Sequence, residues 1–589
     1  MSGGLYRSAN AGPGGDAPPD DGATLISVRA ADQAIAEPPG TGPEPAGDPG
    51  AEAGRGSAAG NSAMMAIGSL VSRGTGFLRT AVIAAALGGG LVGDAYTTAQ
   101  FFPGMIYELL LGGILTSVVI PVLVRRRKTD ADRGEAYTQR LLTLAVLTLG
   151  ATTLLAVLAA PLLGMIYTSD GSTRGLLTAL SYLMLPMMFF SGLSAMLSGV
   201  LNTRGHFAAP MWAPILNNLV VIGTAGLYIL VFGAELIRPS QMTPARVLVI
   251  GGGTLLGIVV QSLGLWPALR KVGFRWRWRF DFRALGLREL GRLGGWMFCY
   301  VAVSQVGVIV LLRLLSQANA EGNVAGAMIY NNVYLLMMMA HGIVAVSIIT
   351  ALMPRMSAAA ADGRMHDLAA DLSRGTRMTT AVLAPIAVCY AVLAQPIATT
   401  LFNRGAFTRE NATATSLVLL VAALALVPFA ISQLFTFAFY ALPDTKTPAL
   451  INIPVVLLRV AVQVGVFLAF AAEFTASGLM VGNALSYVAA AVLSAVLLRP
   501  RIGRIGLREI MTSFGKVLVA ALVAGVAGLA VVSLIFGGGG AADAGGGRNL
   551  VALVAGGIVI CGVYGAVALA LRLREVTDVV AMVRRKIGR

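Results

Sequence analysis

Two arginines, Arg73 and Arg79, lie inside one apolar stretch at residues 62–87. A guanidinium cannot shed its charge, and at bilayer depth it is costly unless it faces protein or water. Arg313 and Arg459 lie in later apolar stretches. Cations retained in such spans point to a cavity that receives an anion. A six-residue step on a regular helix is a rotation of about 120°. Arg73 and Arg79 therefore share a face only if the helix unwinds, and Gly74 and Gly76 between them allow that. Otherwise they line two walls of a wide cleft. The structural alternative is pairing with a carboxylate or with backbone carbonyls, and Glu108 in the next span is a candidate partner. Arg459 is balanced between the two roles.

Other polar residues have simpler readings beside functional ones. Asp94 ends the short segment Gly88–Asp94 and reads either as a helix N-cap or as part of a gate. Glu108 is also a candidate for tuning the charge of the cavity. Asn217–Asn218 and Asn331–Asn332 suit interhelical hydrogen bonds, with Asn332 kept as a cavity candidate. His206, His341 and His366 make no metal set, and Cys299, Cys389 and Cys561 fit no disulfide or metal spacing. Walker, HExxH and GxSxG signatures are missing from the chain, so a transporter is expected, with no catalytic residues, no cofactor and no metal.

The elements that position these residues are membrane helices. The 589 residues are 56% hydrophobic and 12% charged, with mean hydropathy +0.77. That excludes an ordinary soluble domain and indicates an all-α polytopic membrane protein. The net charge of +16 forms no basic nucleic-acid module, and no nucleic acid is expected as partner. Residues 1–61 carry eight acids against three arginines and no apolar run, and read as a disordered cytoplasmic tail, not a signal peptide. Fourteen apolar stretches follow, at 62–87, 96–124, 141–166, 176–201, 208–233, 247–269, 293–316, 324–353, 378–402, 414–440, 448–472, 475–498, 513–537 and 549–571. With the N-terminus inside, cytoplasmic loops and the C-terminus hold 30 Lys and Arg, against six outside. That bias supports both the count and cytoplasmic termini.

An internal repeat divides the chain. Val157–Pro161 recurs as Val392–Pro396, and Pro121, Pro210 and Arg79 have counterparts in Pro354, Pro448 and Arg313 at nearly the same offset. Six helices per half is even, so the repeat is parallel and the substrate belongs between the halves. The expected organisation is an N-lobe at 62–291 (helices 1–6), a C-lobe at 292–512 (helices 7–12), two further helices at 513–575, and a basic cytoplasmic C-terminus at 576–589.

Several motifs resemble one family. They are Ser72-Arg73, Gly76 and Arg79 with Asp94 after them, then Pro103, Gly113 and Pro121. Leu201 to Arg204 with Phe207, Pro210 and Ala213-Pro214 follow, then Gly342, Val346, Pro354 and Ser357, and Pro443 to Pro448. Over roughly residues 60–575 the chain resembles the MurJ (MviN) lipid II flippases, in the multidrug/oligosaccharidyl-lipid/polysaccharide exporter superfamily. Its Arg-, Ala- and Gly-rich composition hints at a G+C-rich genome, and the resemblance is to a divergent, actinobacterial branch. It departs from the family's pattern at Thr80, where an Asp is usual, at Tyr107 and Glu108, which replace an arginine pair, and at Leu335, which replaces an arginine. The resemblance implies a bacterial cytoplasmic-membrane flippase moving undecaprenyl-pyrophosphate-linked disaccharide-pentapeptide from inner to outer leaflet by alternating access. Arg73, Arg79, Arg313 and Ser72 would hold the pyrophosphate, Asp94, Glu108 and Asn332 would gate or line the cavity, and the last two helices would carry the prenyl tail. Membrane lipids, and cell-wall synthesis and division proteins, are the expected partners. A drug or glycan exporter of the same superfamily and a membrane scaffold for cell-wall proteins are the alternatives. The first suits a carboxylate-lined cavity, and the second leaves buried arginines without a purpose.

Overall fold

A computed structural model describes residue 68 and residues 70–109, 120–285, 287–322, 326–537 and 546–577. The tail at 1–61 and the C-terminal segment beyond 577 lie outside the described residues. Thirteen helices there are long and apolar enough to cross a membrane: α1 (Leu70–Leu87), α3 (Glu135–Leu158), α4 (Gly171–Thr203), α5 (Ala208–Phe232), α6 (Pro244–Lys271), α7 (Gly295–Asn319), α8 (Ala327–Ala361), α9 (Met365–Val392), α10 (Arg409–Ala441), α11 (Lys446–Ala469), α12 (Ala472–Ile502), α13 (Leu507–Phe536) and α14 (Gly546–Ala570). α2 (Leu91–Tyr107) occupies the place of the second expected span, whose middle lies outside the described residues. Among the described residues the chain is thus an all-helical, multi-pass membrane protein, in two lobes with two appended helices.

The recurrent Pro-containing motif acts alike in both lobes. α3 stops at Leu158 and a short helix, Ala160–Tyr167, takes over with Pro161 in its first turn. α9 stops at Val392 and Ala394–Phe402 takes over with Pro396 near its start. Proline lacks the N–H that a continuing helix needs but suits a first turn, so each span bends where the motif recurs. The sequence suggests single helices at 141–166 and 378–402, and this proline effect is why each is divided. α2 also begins earlier than expected, at Leu91, which places Asp94 in its first turn and not in a loop.

α13 and α14 pack on each other and on α9. The packing is close at Gly528, where a Cβ would sit 2.5 Å from Ile560, and at Gly556, where one would sit 2.6 Å from Leu393. Small residues let helices approach in lipid, where apolar burial alone gives no driving force. Their outer faces expose Leu522, Val526, Val554 and Ile558.

The α10–α11 turn is held by Asp444. Its carboxylate accepts from the Thr447 N–H (2.9 Å) and the Thr447 hydroxyl (2.5 Å), and it pairs with Arg501 at the end of α12. Partial burial alone would raise the carboxyl, but the Thr447 and Arg501 contacts outweigh it and hold it below the usual carboxylate range. A depressed folded value contributes stability at neutral pH that is lost as pH falls through it. Asp444→Asn is therefore expected to lower the melting temperature in detergent at pH 7. The gap from the parent protein should shrink only as the pH falls below the ordinary carboxylate range and through the depressed folded value, where the parent side chain also becomes neutral.

Candidate functional site

The rotation of α1 is set from α5. Asn218 donates to the Ser72 carbonyl (3.2 Å) and to the Thr75 hydroxyl (3.0 Å). Arg73, one position on, reaches across to α8, where its guanidinium lies against the backbone of Gly342. A Cβ at Gly342 would be 2.8 Å from Nη2 and closer still to Nη1, so a side chain there would displace the guanidinium. The neighbouring His341 packs against Phe429 in a tilted arrangement, with 4.6 Å between ring centres.

Arg79 lines a cavity of about 150 Å³ between α1, α2 and α8, together with Thr80, Tyr96, Gln100, Asn331 and Leu335. Its Nε is buried without a hydrogen-bond partner. Among the described residues neither Arg73 nor Arg79 has a carboxylate at ion-pair distance. Glu108, the candidate partner, instead accepts from Gln305 of α7 at 3.0 Å. A buried cation left without protein counter-charge is strongly unfavourable. Leu335 faces this same cavity.

Asp94 is 4% exposed and joins the lobes. It accepts from the Asn319 amide of α7 (2.6 Å) and from the Met328 N–H of α8 (3.0 Å). α2 is capped by Gly90, and Asp94 serves the free N–H groups of α8, whose own N-cap, Gly326, has no side chain to do so. A Cβ at Gly326 would collide with the Asp94 carboxylate. The same end of the molecule carries two further ties between lobes. Ala406 N–H donates to the Ala85 carbonyl (2.8 Å), and Gly89 N–H donates to Asn411 Oδ1 (3.2 Å). Left-handed backbone at Gly88 and Gly405 permits this close approach.

Arg313 is not brought together with Arg73 and Arg79. It is exposed and donates to the Ile166 carbonyl in the last turn of the short helix after α3. A cation there also complements the negative end of that helix. The repeat explains the separation. Asn452 of α11 donates to the Tyr300 carbonyl (2.9 Å) and the Ser304 hydroxyl (2.8 Å) of α7, as Asn218 does to Ser72 and Thr75 of α1. Matching these contacts pairs Ser72 with Tyr300 and Thr75 with Ser304, which sets Arg313 opposite Ala84 or Ala85 and not opposite Arg79.

Arg459 lines a larger cavity of about 410 Å³ in the C-lobe, with Glu108 reaching in from α2 and Tyr300, Tyr334, Phe429 and Tyr487 around it. Its Nε is buried without a partner. Asn332 is fully buried, and neither its amide nitrogen nor its oxygen has a hydrogen bond among the described residues. Asn319, Gly326 and Asn411 went unmarked in the sequence. The only signal they offered was polarity or small size beside an apolar span.

Paired lobes joined at one end, with cations between them that have no carboxylate partner among the described residues, define a membrane transporter of a two-lobe fold. The fold is similar to a solved structure described as lipid II flippase MurJ in an inward closed conformation (TM-score 0.66, 18% identity, covering 86% of this chain and 99% of that one). It is also similar to an inward-facing multidrug resistance MATE family transporter (TM-score 0.59, 16% identity, covering 74% and 95%). The family model described as lipid II flippase MurJ matches residues 83–540. A lipid II flippase MurJ of Burkholderia cenocepacia is 30% identical over 404 residues, 66% of this chain and 74% of its own length. A probable lipid II flippase MurJ of Haemophilus influenzae is 26% identical over 487 residues, 78% and 89%. The chain belongs to the lipid II flippase MurJ family.

Proposed function

We propose that this protein flips lipid II across the bacterial cytoplasmic membrane by alternating access between its lobes. The observation that carries the reading is the pair of guanidiniums, Arg73 and Arg79, held between the lobes without a carboxylate partner among the described residues. A pyrophosphate supplies the missing counter-charge through charge-assisted, forked hydrogen bonds. Ser72, fixed by Asn218, positions Arg73. The prenyl tail stays in hydrocarbon along α13 and α14, while the headgroup crosses between the lobes. The charge bias of the loops supports cytoplasmic termini. That orientation puts the Asp94 seal on the outer side and leaves the cavity to fill from within. An exporter of cationic drugs suits this cavity less, because its unpaired side chains are cations.

The test is binding of an undecaprenyl-pyrophosphate lipid to purified protein. The wild type is expected to bind it, and Arg73→Ala and Arg79→Ala are expected to weaken binding at least tenfold. Equal binding by all three would count against the reading. Arg313 takes a different role here, as a bolt between the lobes at the outer end. Arg313→Ala is therefore expected to leave the lipid affinity within about twofold, while lowering the melting temperature through loss of its hydrogen bond to Ile166. A tenfold loss of affinity would return Arg313 to the binding site.

A further inference from the structure

We propose that the ribbon at residues 274–282, which lies between α6 and α7 and so links the lobes, is an interfacial anchor. It seats Trp278 and Phe280 in the headgroup layer of the membrane and holds anionic phospholipid through Arg275 and Arg277. Aromatic residues and arginines alternate along Phe274, Arg275, Trp276, Arg277, Trp278, Arg279 and Phe280. The segment is not helical, and in an extended chain alternate residues share a face. The rings do so. Trp276 and Trp278 lie 4.9 Å apart between centres, Trp278 and Phe280 stack at 6.3 Å, and Phe280 and Phe282 meet edge-on at 6.4 Å. Phe274 is buried in the core of the N-lobe, and Trp276 and Phe282 pack against that core. Trp278 and Phe280, between them, are left 56% and 65% exposed.

Contacts with α3 set the depth of the ribbon. The Gln139 amide donates to the Arg275 carbonyl (2.8 Å), and the Arg279 N–H donates to the Thr143 hydroxyl (3.2 Å). Thr143 lies one turn further into the span than Gln139, about 6 Å along the helix, so the ribbon runs from the end of the span toward its middle. The apolar run of α3 begins at Leu141, which brings Trp278 and Phe280 level with the edge of the hydrocarbon. The Arg279 guanidinium turns back and donates to Gln139 Oε1 (2.8 Å), as a long cation does at that depth. Amphipathic rings are favoured at this level of a bilayer. The charge identifies the lipid. Residues 270–283 hold six Lys and Arg against one acid, Asp281, which already faces Arg140 at 3.5 Å. Arg275 and Arg277 are exposed, and among the described residues neither has a carboxylate at ion-pair distance. Lipid phosphates accept from such forks, and the cytoplasmic leaflet carries anionic headgroups. The anchor does not depend on which substrate is flipped.

Quenching of tryptophan fluorescence by brominated lipid provides the test, on the full chain in phosphatidylcholine vesicles. Trp278 is one of five tryptophans, and the fluorescence lost in Trp278→Phe isolates its signal. Equal amounts of phosphatidylglycerol or phosphatidylcholine, brominated near the top of the acyl chains, serve as quenchers. Both should quench Trp278, which reports its depth, and aqueous acrylamide should not reach it. Brominated phosphatidylglycerol should quench it at least about twofold more strongly, because the two free arginines gather anionic headgroups around it. Arg275 and Arg277 are exposed, so Arg275→Gln/Arg277→Gln is expected to fold, with an unchanged melting temperature as the check. That variant should lose the preference, and Arg275→Lys/Arg277→Lys should keep part of it. Equal quenching by the two lipids in the parent protein would overturn the proposal. So would quenching by acrylamide in place of the lipids, which would put the ribbon in water and leave it to a soluble partner.

Discussion

Arg79→Ala is expected to abolish complementation of a strain depleted of its own flippase, with normal membrane levels of the variant protein. Each charge-assisted hydrogen bond to a phosphate contributes about 1.5–3 kcal/mol. A forked pair lost together therefore weakens headgroup binding by a hundredfold or more. Arg73→Ala should act in the same direction, and Lys at either position should rescue in part, since a point charge lacks the fork. The accompanying stability change separates this role from a structural one. Arg79 Nε is buried and unpaired. Removing an uncompensated buried cation should leave the melting temperature of the empty protein unchanged or raise it. A lower melting temperature together with retained complementation would make both arginines structural.

The second large effect is expected at the seal between the lobes. Asp94→Ala strands the Asn319 amide and the first N–H groups of α8 in a buried site. Each stranded donor costs about 1–3 kcal/mol, so two of them cost the closed arrangement about thirtyfold or more in population. Thr97, buried on the wall of the Arg79 cavity, reports on this if changed to Cys in a background with Cys299, Cys389 and Cys561 replaced by Ser. An impermeant thiol reagent added outside should label it at least tenfold faster when Asp94→Ala is present. Gly326→Ala should reproduce the effect with the Asp94 side chain still present, because its Cβ would meet the Asp94 oxygens. Unchanged labelling in both variants would mean that Asp94 does not hold the outer side shut.

The membrane spans were legible because bilayer thickness sets their length and the loop arginines sort by side. The bends after α3 and α9 were not read from the sequence, although Pro161 and Pro396 mark where they fall. The positions of Arg73 and Arg79 in the first span were equally plain. What the sequence could not carry was register. The offset of the repeat is 234 between Asn218 and Asn452 but 228 between Ser72 and Tyr300, so a shared offset suggested an equivalence of Arg79 and Arg313 that the helix contacts do not keep. Asp94 was recognisable as a cap, but the helix it serves lies more than 200 residues away. Local pattern cannot supply a partner at that distance.

The most direct measurement of the central claim is the distribution of lipid II between the leaflets when this protein is depleted. An outside-acting enzyme that cleaves the exposed headgroup reads the outer pool. The account predicts that depletion empties the outer pool while lipid II accumulates inside, and that wild-type protein restores the outer pool where Arg79→Ala does not. An outer pool that stays full after depletion, in cells with no second flippase gene, would contradict it.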